Sequence, residues 1–194
     1  MQSNIMIVGV GGQGTLLASR ILGDVATQLG CDVKVSEVHG MSQRGGSVVT
    51  YVKYGDKVYS PVIAEGEADI ILAFEQLEAY RYLRYLKKGG MMLINSQKIN
   101  PMPVITGAAE YPQDIIDKIK NTSAEIIPID ALSLAIEAGN AKAVNVVLIG
   151  LLASRTEIDK GIWESALVSC VPPKFLEVNK KAFEIGYNKG MALK

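Results

Sequence analysis

The sequence predicts an α/β fold, namely a three-layer Rossmann-like domain with a mixed, mostly parallel sheet and a helical C-terminal region. Short apolar runs alternate with amphipathic segments of helical spacing as far as residue 138. A glycine-rich segment joins the first run to the first amphipathic segment, and helical spacing dominates beyond residue 141. This alternation is typical of strands that pack between layers of helices. Because no repeat, linker or low-complexity segment divides the 194 residues, we expect a single domain over 1–194.

The first part of the chain is predicted as strand, loop, helix and strand. A short buried strand over 4–8 leads into a glycine-rich loop over 9–14. Apolar residues recur at helical spacing from 15 to 28, which indicates a helix, and Gly30 ends it. A second strand over 32–38 follows, so the chain opens as the start of a parallel α/β sheet.

No helix is expected between the second strand and the third. A polar, glycine-rich loop over 39–46 leads directly into 47–54, where apolar residues alternate as in a strand. We expect 58–63 to return as a hairpin after a turn, with Pro61 indicating an edge strand. The missing helix predicts that the sheet is mixed.

The second half continues the alternation and then becomes mainly helical. We expect three strands and three helices, with the strands over 68–74, 91–95 and 125–129 and the helices over 75–86, 112–120 and 131–138. Basic residues and glycines at 87–90 are typical of a helix C-terminus, and Asp130 is typical of a helix cap. We expect 101–107 to be a loop or short strand, and Pro172-Pro173 to break the last helical region. Charged residues of the helix over 75–86 are expected on a solvated or interface face, and they are Glu75, Glu78, Arg81 and Arg84.

The composition excludes several classes of protein. Twenty basic and twenty acidic residues cancel, so charge gives the chain no reason to bind nucleic acid or an anionic membrane surface. No apolar segment is long enough to span a bilayer and the first residues lack a signal-peptide pattern, so we expect a cytoplasmic protein. Two cysteines, Cys31 and Cys170, and one histidine are too few for an iron–sulfur cluster or a structural zinc site. We therefore expect no metal on this chain, and both cysteines as small buried apolar residues.

The loop after the first strand is the candidate cofactor-binding site. It fits the pattern G-x-G-x-x-G between a strand and a helix, and its candidate residues are Gly9, Gly11, Gly12, Gln13, Gly14 and Thr15. Glycines let a ligand approach the backbone, and N–H groups at a helix N-terminus favour an anion such as a phosphate. The same glycines also permit a tight strand-to-helix turn with close packing, and the motif alone does not decide between these roles.

The loop after the second strand is the candidate substrate or partner loop, and it comprises His39, Gly40, Met41, Ser42, Gln43, Arg44, Gly45 and Gly46. Ligands of open α/β sheets gather outside the carboxyl ends of strands. A loop that is this polar and this rich in glycine is costly to order unless something contacts it. Arg44 is the candidate anion contact, because its planar guanidinium matches a carboxylate or phosphate. His39 is a candidate proton carrier or else only a strand end, since no partner lies at a diagnostic spacing. No residue of the chain is assigned a certain catalytic role.

Three other interpretations remain open from the residues. Glu37 lies near the place where an acidic residue grips a ribose in NAD enzymes, which favours a free-standing NAD(P)-binding oxidoreductase, although the missing helix leaves the usual nucleotide half incomplete. An adenylate-forming activating enzyme also begins with a glycine-rich loop, but the chain lacks the downstream cysteine nucleophile and zinc cysteines of that class. A purely structural interaction subunit would present the same loops without touching substrate.

The two glycine-rich motifs together resemble those of a known family. Gly9-Val10-Gly11-Gly12-Gln13-Gly14, followed by Glu37-Val38-His39-Gly40-Met41-Ser42-Gln43-Arg44-Gly45-Gly46-Ser47-Val48, is similar to the gamma-type catalytic domain of pyruvate and related 2-oxoacid:ferredoxin oxidoreductases. The order of elements and the length extend the resemblance over nearly the whole chain. The His-Gly-Met-Ser-Gln-Arg-Gly-Gly form is most similar to that of the beta subunits acting on indolepyruvate. Members acting on pyruvate or 2-oxoglutarate tend to carry Tyr-Gly and an acidic residue before the same Arg-Gly-Gly.

The resemblance implies a reaction that is shared between subunits. An aryl 2-oxoacid such as indolepyruvate is oxidatively decarboxylated with coenzyme A as co-substrate, acyl-CoA and carbon dioxide form, and ferredoxin is reduced. Thiamine diphosphate with Mg²⁺ and [4Fe-4S] clusters would belong to the alpha subunit, since this chain has neither a thiamine motif nor cluster cysteines. The implied partners are therefore the alpha subunit and, through the complex, ferredoxin. The two glycine-rich loops would shape the active-site entrance against the alpha subunit, with Arg44 contacting the substrate carboxylate or a coenzyme A phosphate.

Overall fold

The computed structural model describes residues 2–39 and 46–194, and within them six strands form one sheet. The strands are β1 (Ser3–Val10), β2 (Asp32–His39), β3 (Ser47–Gly55), β4 (Ala68–Ala73), β5 (Leu86–Asn95) and β6 (Glu125–Ile129). Their order across the sheet is β2-β3-β1-β4-β5-β6. β1, β4, β5 and β6 pair in parallel, whereas β3 is antiparallel to both β1 and β2. The predicted mixed, mostly parallel sheet is confirmed, because the short β2–β3 connection forces β3 to run against its neighbours.

Eight α-helices accompany the strands within the described residues. They are α1 (Thr15–Gln28), α2 (Gln76–Tyr82), α3 (Met102–Ile105), α4 (Ile115–Lys120), α5 (Ala131–Ala138), α6 (Val144–Ser154), α7 (Lys160–Cys170) and α8 (Leu176–Met191). The helical C-terminal region is confirmed, and the break at Pro172-Pro173 separates α7 from α8. Asp130 caps α5 as predicted, accepting from the Ser133 N–H at 3.0 Å. None of the described helices is both long and apolar enough to cross a bilayer.

Two hydrophobic cores lie on opposite faces of the sheet and produce the three layers. The larger core joins one face to α1 and α5–α8, with Trp163 and Phe183 among its largest fully buried side chains. The smaller core joins the other face to α2 and α4. Every residue of α6 is buried, because that helix lies between the sheet and α8. Strands β1 and β4 are apolar on both faces, because each face of the sheet packs against one of these cores.

The segment 58–63 is not a strand, so the predicted hairpin is wrong. Side chains hold its backbone instead, since the Asp32 carboxylate accepts from the Val58 N–H at 2.9 Å and the Lys53 ammonium donates to the Val62 carbonyl at 3.2 Å. Ile63 is 1% exposed and anchors the segment in the smaller core. Its apolar residues therefore reflect local burial, not strand pairing.

Two other local predictions also fail. Residues 87–90 belong to β5 and do not end a helix, because the chain leaves α2 through a 3₁₀ turn at Leu83–Tyr85 and enters the strand at Leu86. Pairing with β4 is irregular at this point, and Gly89 adopts a φ of 73°. The segment 101–107 contains the short helix α3 instead of a strand. Local propensity could not reveal the early start of β5, since β4 supplies its partner.

Candidate functional site

The two glycine-rich segments meet at one edge of the sheet. β1 ends at Val10, and its register places Val10 opposite Ser47, the first residue of β3. The Gly11 N–H donates to the Gly46 carbonyl at 3.0 Å, so the segment after β1 touches the residue that precedes β3. This edge lies at the carboxyl ends of the parallel strands, where open α/β sheets bind ligands.

The side chain of Gln13 fills the inside of the first glycine-rich segment. Its carbonyl oxygen accepts from the Val10 N–H at 2.7 Å, and its amide donates to the Phe74 carbonyl at 2.9 Å. The Gln13 N–H donates back to the Val10 carbonyl at 3.3 Å. The amides of Val10, Gly11 and Gln13 thus have partners within the protein, and any anion would have to use the remaining amides of the segment.

The glycines of this segment have distinct structural causes. A Cβ on Gly9 would lie 2.8 Å from the Gln13 side-chain oxygen and 3.0 Å from the Phe74 Cβ, so Gly9 permits close approach. Gly12 and Gly14 adopt φ angles of 96° and 83°, which favour glycine. The Asn145 amide donates to the Gly14 carbonyl at 3.2 Å, which brings the first turn of α6 against the start of α1. Both helices therefore begin beside the same segment.

The predicted site residues divide between the described and undescribed parts of the chain. Gly9 lies in the last part of β1, whereas Gly11, Gly12, Gln13 and Gly14 form the turn between β1 and α1. Thr15 is buried in the first turn of that helix. The backbone of His39 ends β2 opposite Val48. The His39 side chain and the whole of Gly40, Met41, Ser42, Gln43, Arg44 and Gly45 lie outside the described residues.

Glu75 and Glu78 are buried, so their predicted placement on a solvated helix face is wrong. Glu75 is 1% exposed and Glu78 is 5% exposed. The Glu75 carboxylate caps α2 by accepting from the Glu78 N–H at 3.0 Å, and it also accepts from the Ile99 N–H at 3.1 Å and from the Tyr111 hydroxyl. Burial is the main cause that raises the pKa of Tyr111, and its hydrogen bond to Glu75 adds to the increase.

Glu78 links α2 to the start of β3. One oxygen of its carboxylate accepts from the Ser47 hydroxyl at 2.5 Å, and the other lies 3.2 Å from the Arg81 Nε. The Tyr82 hydroxyl lies 3.4 Å from the Ser47 hydroxyl. Burial raises the pKa of the Glu78 carboxyl, against the opposing effects of Ser47 and Arg81, and Glu75 adds a smaller increase. Arg81 and Arg84 are exposed as predicted, with side chains 51% and 66% exposed.

Asn95 completes this edge from β5. Its amide nitrogen donates to the Phe74 carbonyl at 3.1 Å, the same carbonyl that accepts from Gln13. Its amide oxygen accepts from the Ala131 N–H at 3.2 Å, which joins β5 to the start of α5. Ser47, Glu75, Glu78 and Asn95 were not predicted as site residues. Position gave a signal for three of them, because Ser47, Glu75 and Asn95 lie at or directly beside an end of a predicted strand on this edge, whereas Glu78 lies inside a helix and had no such signal.

The strand order separates Glu37 from the first glycine-rich segment. β3 lies between β2 and β1, so Glu37 belongs to a strand two positions from β1. Neighbouring strands lie about 4.8 Å apart, so the two strands are separated by about 10 Å. In dinucleotide-binding folds the strand with the ribose-binding acid is adjacent to β1. The geometry of an NAD(P) site is therefore not reproduced here.

The cysteines lie apart from this edge. Cys31 and Cys170 are half-buried and pack against the larger core, close to the predicted small apolar role. Burial raises the pKa of the Cys170 thiol. The described residues contain no group of three or more His, Cys, Asp or Glu side chains placed to hold a metal ion.

Comparison with known proteins identifies a family over most of the chain. The family model described as pyruvate ferredoxin/flavodoxin oxidoreductase matches residues 4–189. The indolepyruvate oxidoreductase subunit IorB of Thermococcus kodakarensis is 48% identical, over 94% of this chain and 93% of that protein. The subunit of the same name from Archaeoglobus fulgidus is 40% identical, over 99% of this chain and 97% of that protein.

Solved structures share the fold. The gamma subunit of a keto/oxoacid ferredoxin oxidoreductase from Geobacter sulfurreducens superimposes with a TM-score of 0.74 and 26% identity, covering 98% of this chain and 99% of that one. A 2-oxoglutarate:ferredoxin oxidoreductase from Magnetococcus marinus, with 2-oxoglutarate, coenzyme A and succinyl-CoA bound, superimposes with a TM-score of 0.76 and 19% identity. This chain is covered completely in that match, and it corresponds to 32% of the longer chain.

Proposed function

Because the chain belongs to the pyruvate ferredoxin/flavodoxin oxidoreductase family, as the small subunit of a 2-oxoacid:ferredoxin oxidoreductase, we propose that its complex acts on an aryl 2-oxoacid such as indolepyruvate. In this reaction the 2-oxoacid and coenzyme A give acyl-CoA and carbon dioxide, and the released electrons reduce ferredoxin. The observation that carries the proposal is the identity of 40–48% with indolepyruvate oxidoreductase subunits over nearly the full length of both chains.

The residues of this chain do not fit the redox cofactors of the reaction. Iron–sulfur clusters normally need four thiolates, whereas the sequence has two cysteines, and both are partly buried against the larger core. Thiamine diphosphate supplies the carbanion chemistry of such enzymes when it is bound. We propose that thiamine diphosphate, Mg²⁺ and the [4Fe-4S] clusters are held by a larger alpha subunit, in a cytoplasmic complex that passes electrons to ferredoxin.

The role proposed for this chain is to complete the cavity of the alpha subunit. The contact between Gly11 and Gly46 supports this role, since it places the segment after β1 against the residue that precedes β3, at the ligand-binding edge of the sheet. Three amides of the first segment have partners within the protein, which favours a shaping role for Gly9–Gly14 over a full phosphate cradle. Arg44 is proposed to contact the carboxylate of the 2-oxoacid or a phosphate of coenzyme A.

The proposal predicts the effect of Arg44→Ala in the reconstituted complex. The chain is co-expressed with the alpha subunit, and reduction of ferredoxin is followed as indolepyruvate and coenzyme A are varied separately. Loss of a charged hydrogen bond to an anion costs about 1.5–3 kcal/mol, so we expect the KM of one of the two substrates to rise about tenfold to a hundredfold.

The control is Arg84→Ala, an exposed arginine whose Nε lies 3.1 Å from Glu65 on the surface, and it should leave both KM values unchanged. An Arg44→Ala complex that assembles and keeps both KM values would remove the anion contact. Turnover by the purified chain without any alpha subunit would overturn the division of labour itself.

A further inference from the structure

The start of β3 is tied to a buried carboxylate. Ser47 directly follows Gly46, the residue that accepts from the Gly11 N–H. The Ser47 hydroxyl donates to Glu78 at 2.5 Å, with the Tyr82 hydroxyl 3.4 Å away. The point at which the two glycine-rich segments touch is therefore one residue from a charge-assisted hydrogen bond.

The backbone of Glu78 is held by a second buried carboxylate, that of Glu75. The Glu78 N–H donates to Glu75, and Glu75 also accepts from the Ile99 N–H and the Tyr111 hydroxyl. The Glu75 carboxylate thus accepts from three donors, which compensates for its burial. Hydrogen bonds thus connect Tyr111 to Glu75 and Glu75 to the Glu78 backbone, and the Glu78 side chain continues the connection to Ser47, the first residue of β3.

Helix capping alone does not account for this arrangement. One oxygen of Glu75 satisfies the first turn of α2, and a cap requires no more than that. Glu78 is nevertheless 5% exposed, although a buried carboxylate is costly unless it is hydrogen-bonded and paired. Its carboxylate contacts Arg81 and Ser47, and within residues 2–39 and 46–194 only Ser47 connects it to another part of the sheet edge.

We infer that Glu78 is a positioning residue for the active-site edge, acting through Ser47 to fix Gly46 against Gly11. Glu75 and Tyr111 hold Glu78 in the required place. A network of buried polar groups is rigid when all of its hydrogen bonds are made. It therefore fixes the position of Gly46 relative to Gly11 more closely than the backbone of a loop would by itself. The kinetic effect expected in the complex rests on the proposed function, whereas the structural role of Glu78 does not.

The test removes the hydroxyl and then restores it. Ser47→Ala deletes the donor, Ser47→Thr keeps a hydroxyl on a side chain suited to a strand, and Ser60→Ala is a control. The Ser60 hydroxyl is also an exposed hydrogen-bonding group, since it accepts from the Val62 N–H at 3.3 Å, but it lies far along the chain from the edge. Amide hydrogen exchange of the full-length chain is followed by NMR at Gly11 and, as a reference, at the core residues Leu72 and Leu93.

We expect Ser47→Ala to accelerate exchange at Gly11 about tenfold while exchange at Leu72 and Leu93 is unchanged, with Ser47→Thr and Ser60→Ala close to the parent chain. In the complex with the alpha subunit, Ser47→Ala should raise the KM for 2-oxoacid or coenzyme A about fivefold or more with kcat within about twofold. Thr should restore the parent KM.

Three results would overturn the inference. Unchanged exchange at Gly11 would show that the hydroxyl does not fix the edge, and equal acceleration at all three amides would show a general loss of stability. Unchanged kinetics in an assembled Ser47→Ala complex would remove the positioning role. Failure of the proposed function is recognised separately, because a parent complex without turnover on indolepyruvate leaves the exchange measurement valid.

Discussion

At the scale of single residues, the burial of Glu78 has a consequence for stability. Its carboxyl pKa is raised above the ordinary value of 4.5 by burial and, to a smaller extent, by Glu75, while Ser47 and Arg81 oppose the increase. A carboxyl with a raised pKa binds its proton more tightly in the folded state than in the unfolded state. The stability that it contributes is therefore present below pH 4.5 and is lost as the pH rises through the folded-state pKa.

Glu78→Gln tests this pH dependence, because glutamine cannot ionise. Loss of the Arg81 contact changes the free energy of unfolding of this variant. The part of the change that depends on pH reports the ionisation of Glu78. We expect the free energy of the variant minus that of the parent to increase from about pH 4 to about pH 8, by about 1.4 kcal/mol for each unit of the pKa shift. Urea unfolding across this range measures it, with Glu65→Gln as an exposed control. A flat difference would contradict the prediction.

At the scale of elements, α6 and α8 are joined by a contact that only glycine permits. A Cβ on Gly150 would lie 2.1 Å from the Phe183 carbonyl oxygen, and a Cβ on Gly186 would lie 2.0 Å from the Val147 carbonyl oxygen. The backbones of the two helices thus touch at two points. Since α6 also positions Asn145 against Gly14, this contact supports the start of the first glycine-rich segment.

Gly150→Ala should therefore destabilise the chain although alanine is the better helix former. The added methyl group meets backbone atoms that cannot rotate away, so we expect a loss of about 3 kcal/mol in the free energy of unfolding. Gly23→Ala is the matched control, because Gly23 lies within helix α1 and its Cβ would lie 3.9 Å from the nearest atom, Val35 Cγ2 in β2. That variant should gain about 0.5–1 kcal/mol. Equal effects of the two substitutions in urea unfolding would contradict the packing argument.

The elements also differ in how well the sequence predicts them. The bounds of α1 are those expected, since apolar residues at helical spacing and Gly30 define them locally. The strand β5 begins five residues before its predicted start at 91, because pairing with β4 supports residues whose composition favours a helix end. The segment 58–63 is predicted to return as a hairpin strand but finds no partner strand. Periodicity reports which face is buried, and strand pairing is decided by distant residues.

At the scale of the whole molecule, the strand order determines which ligand the first glycine-rich segment can serve. The antiparallel strand β3 separates β2 from β1, and Gln13 occupies the inside of the turn. A dinucleotide would lose both the neighbouring acidic strand and several amide donors. The free-standing NAD(P)-binding oxidoreductase is therefore not supported by the topology.

The titration of NADH into the purified chain tests this topological argument. We expect no saturable binding up to about 1 mM, a limit that corresponds to about 4 kcal/mol of binding free energy. Fluorescence of bound NADH is the measurement, and a dehydrogenase with an adjacent acidic strand serves as the positive control. Tight binding by the parent chain would restore the dinucleotide-binding interpretation.

The sequence by itself determined the fold class and the mixed sheet, which follows from the missing helix between the second and third strands. It also determined the two glycine-rich segments and the family to which the chain belongs. These features are local, because glycine patterns, apolar periodicity and cysteine number can be read without knowing which distant residues meet. Only the tertiary structure decided that Glu75 and Glu78 are buried, that Gln13 fills the first turn, and that Ser47 is anchored beside Gly11. The physical reason is that a charged side chain is expected in solvent unless it has hydrogen-bond donors in the interior, and only the fold shows that another element supplies those donors.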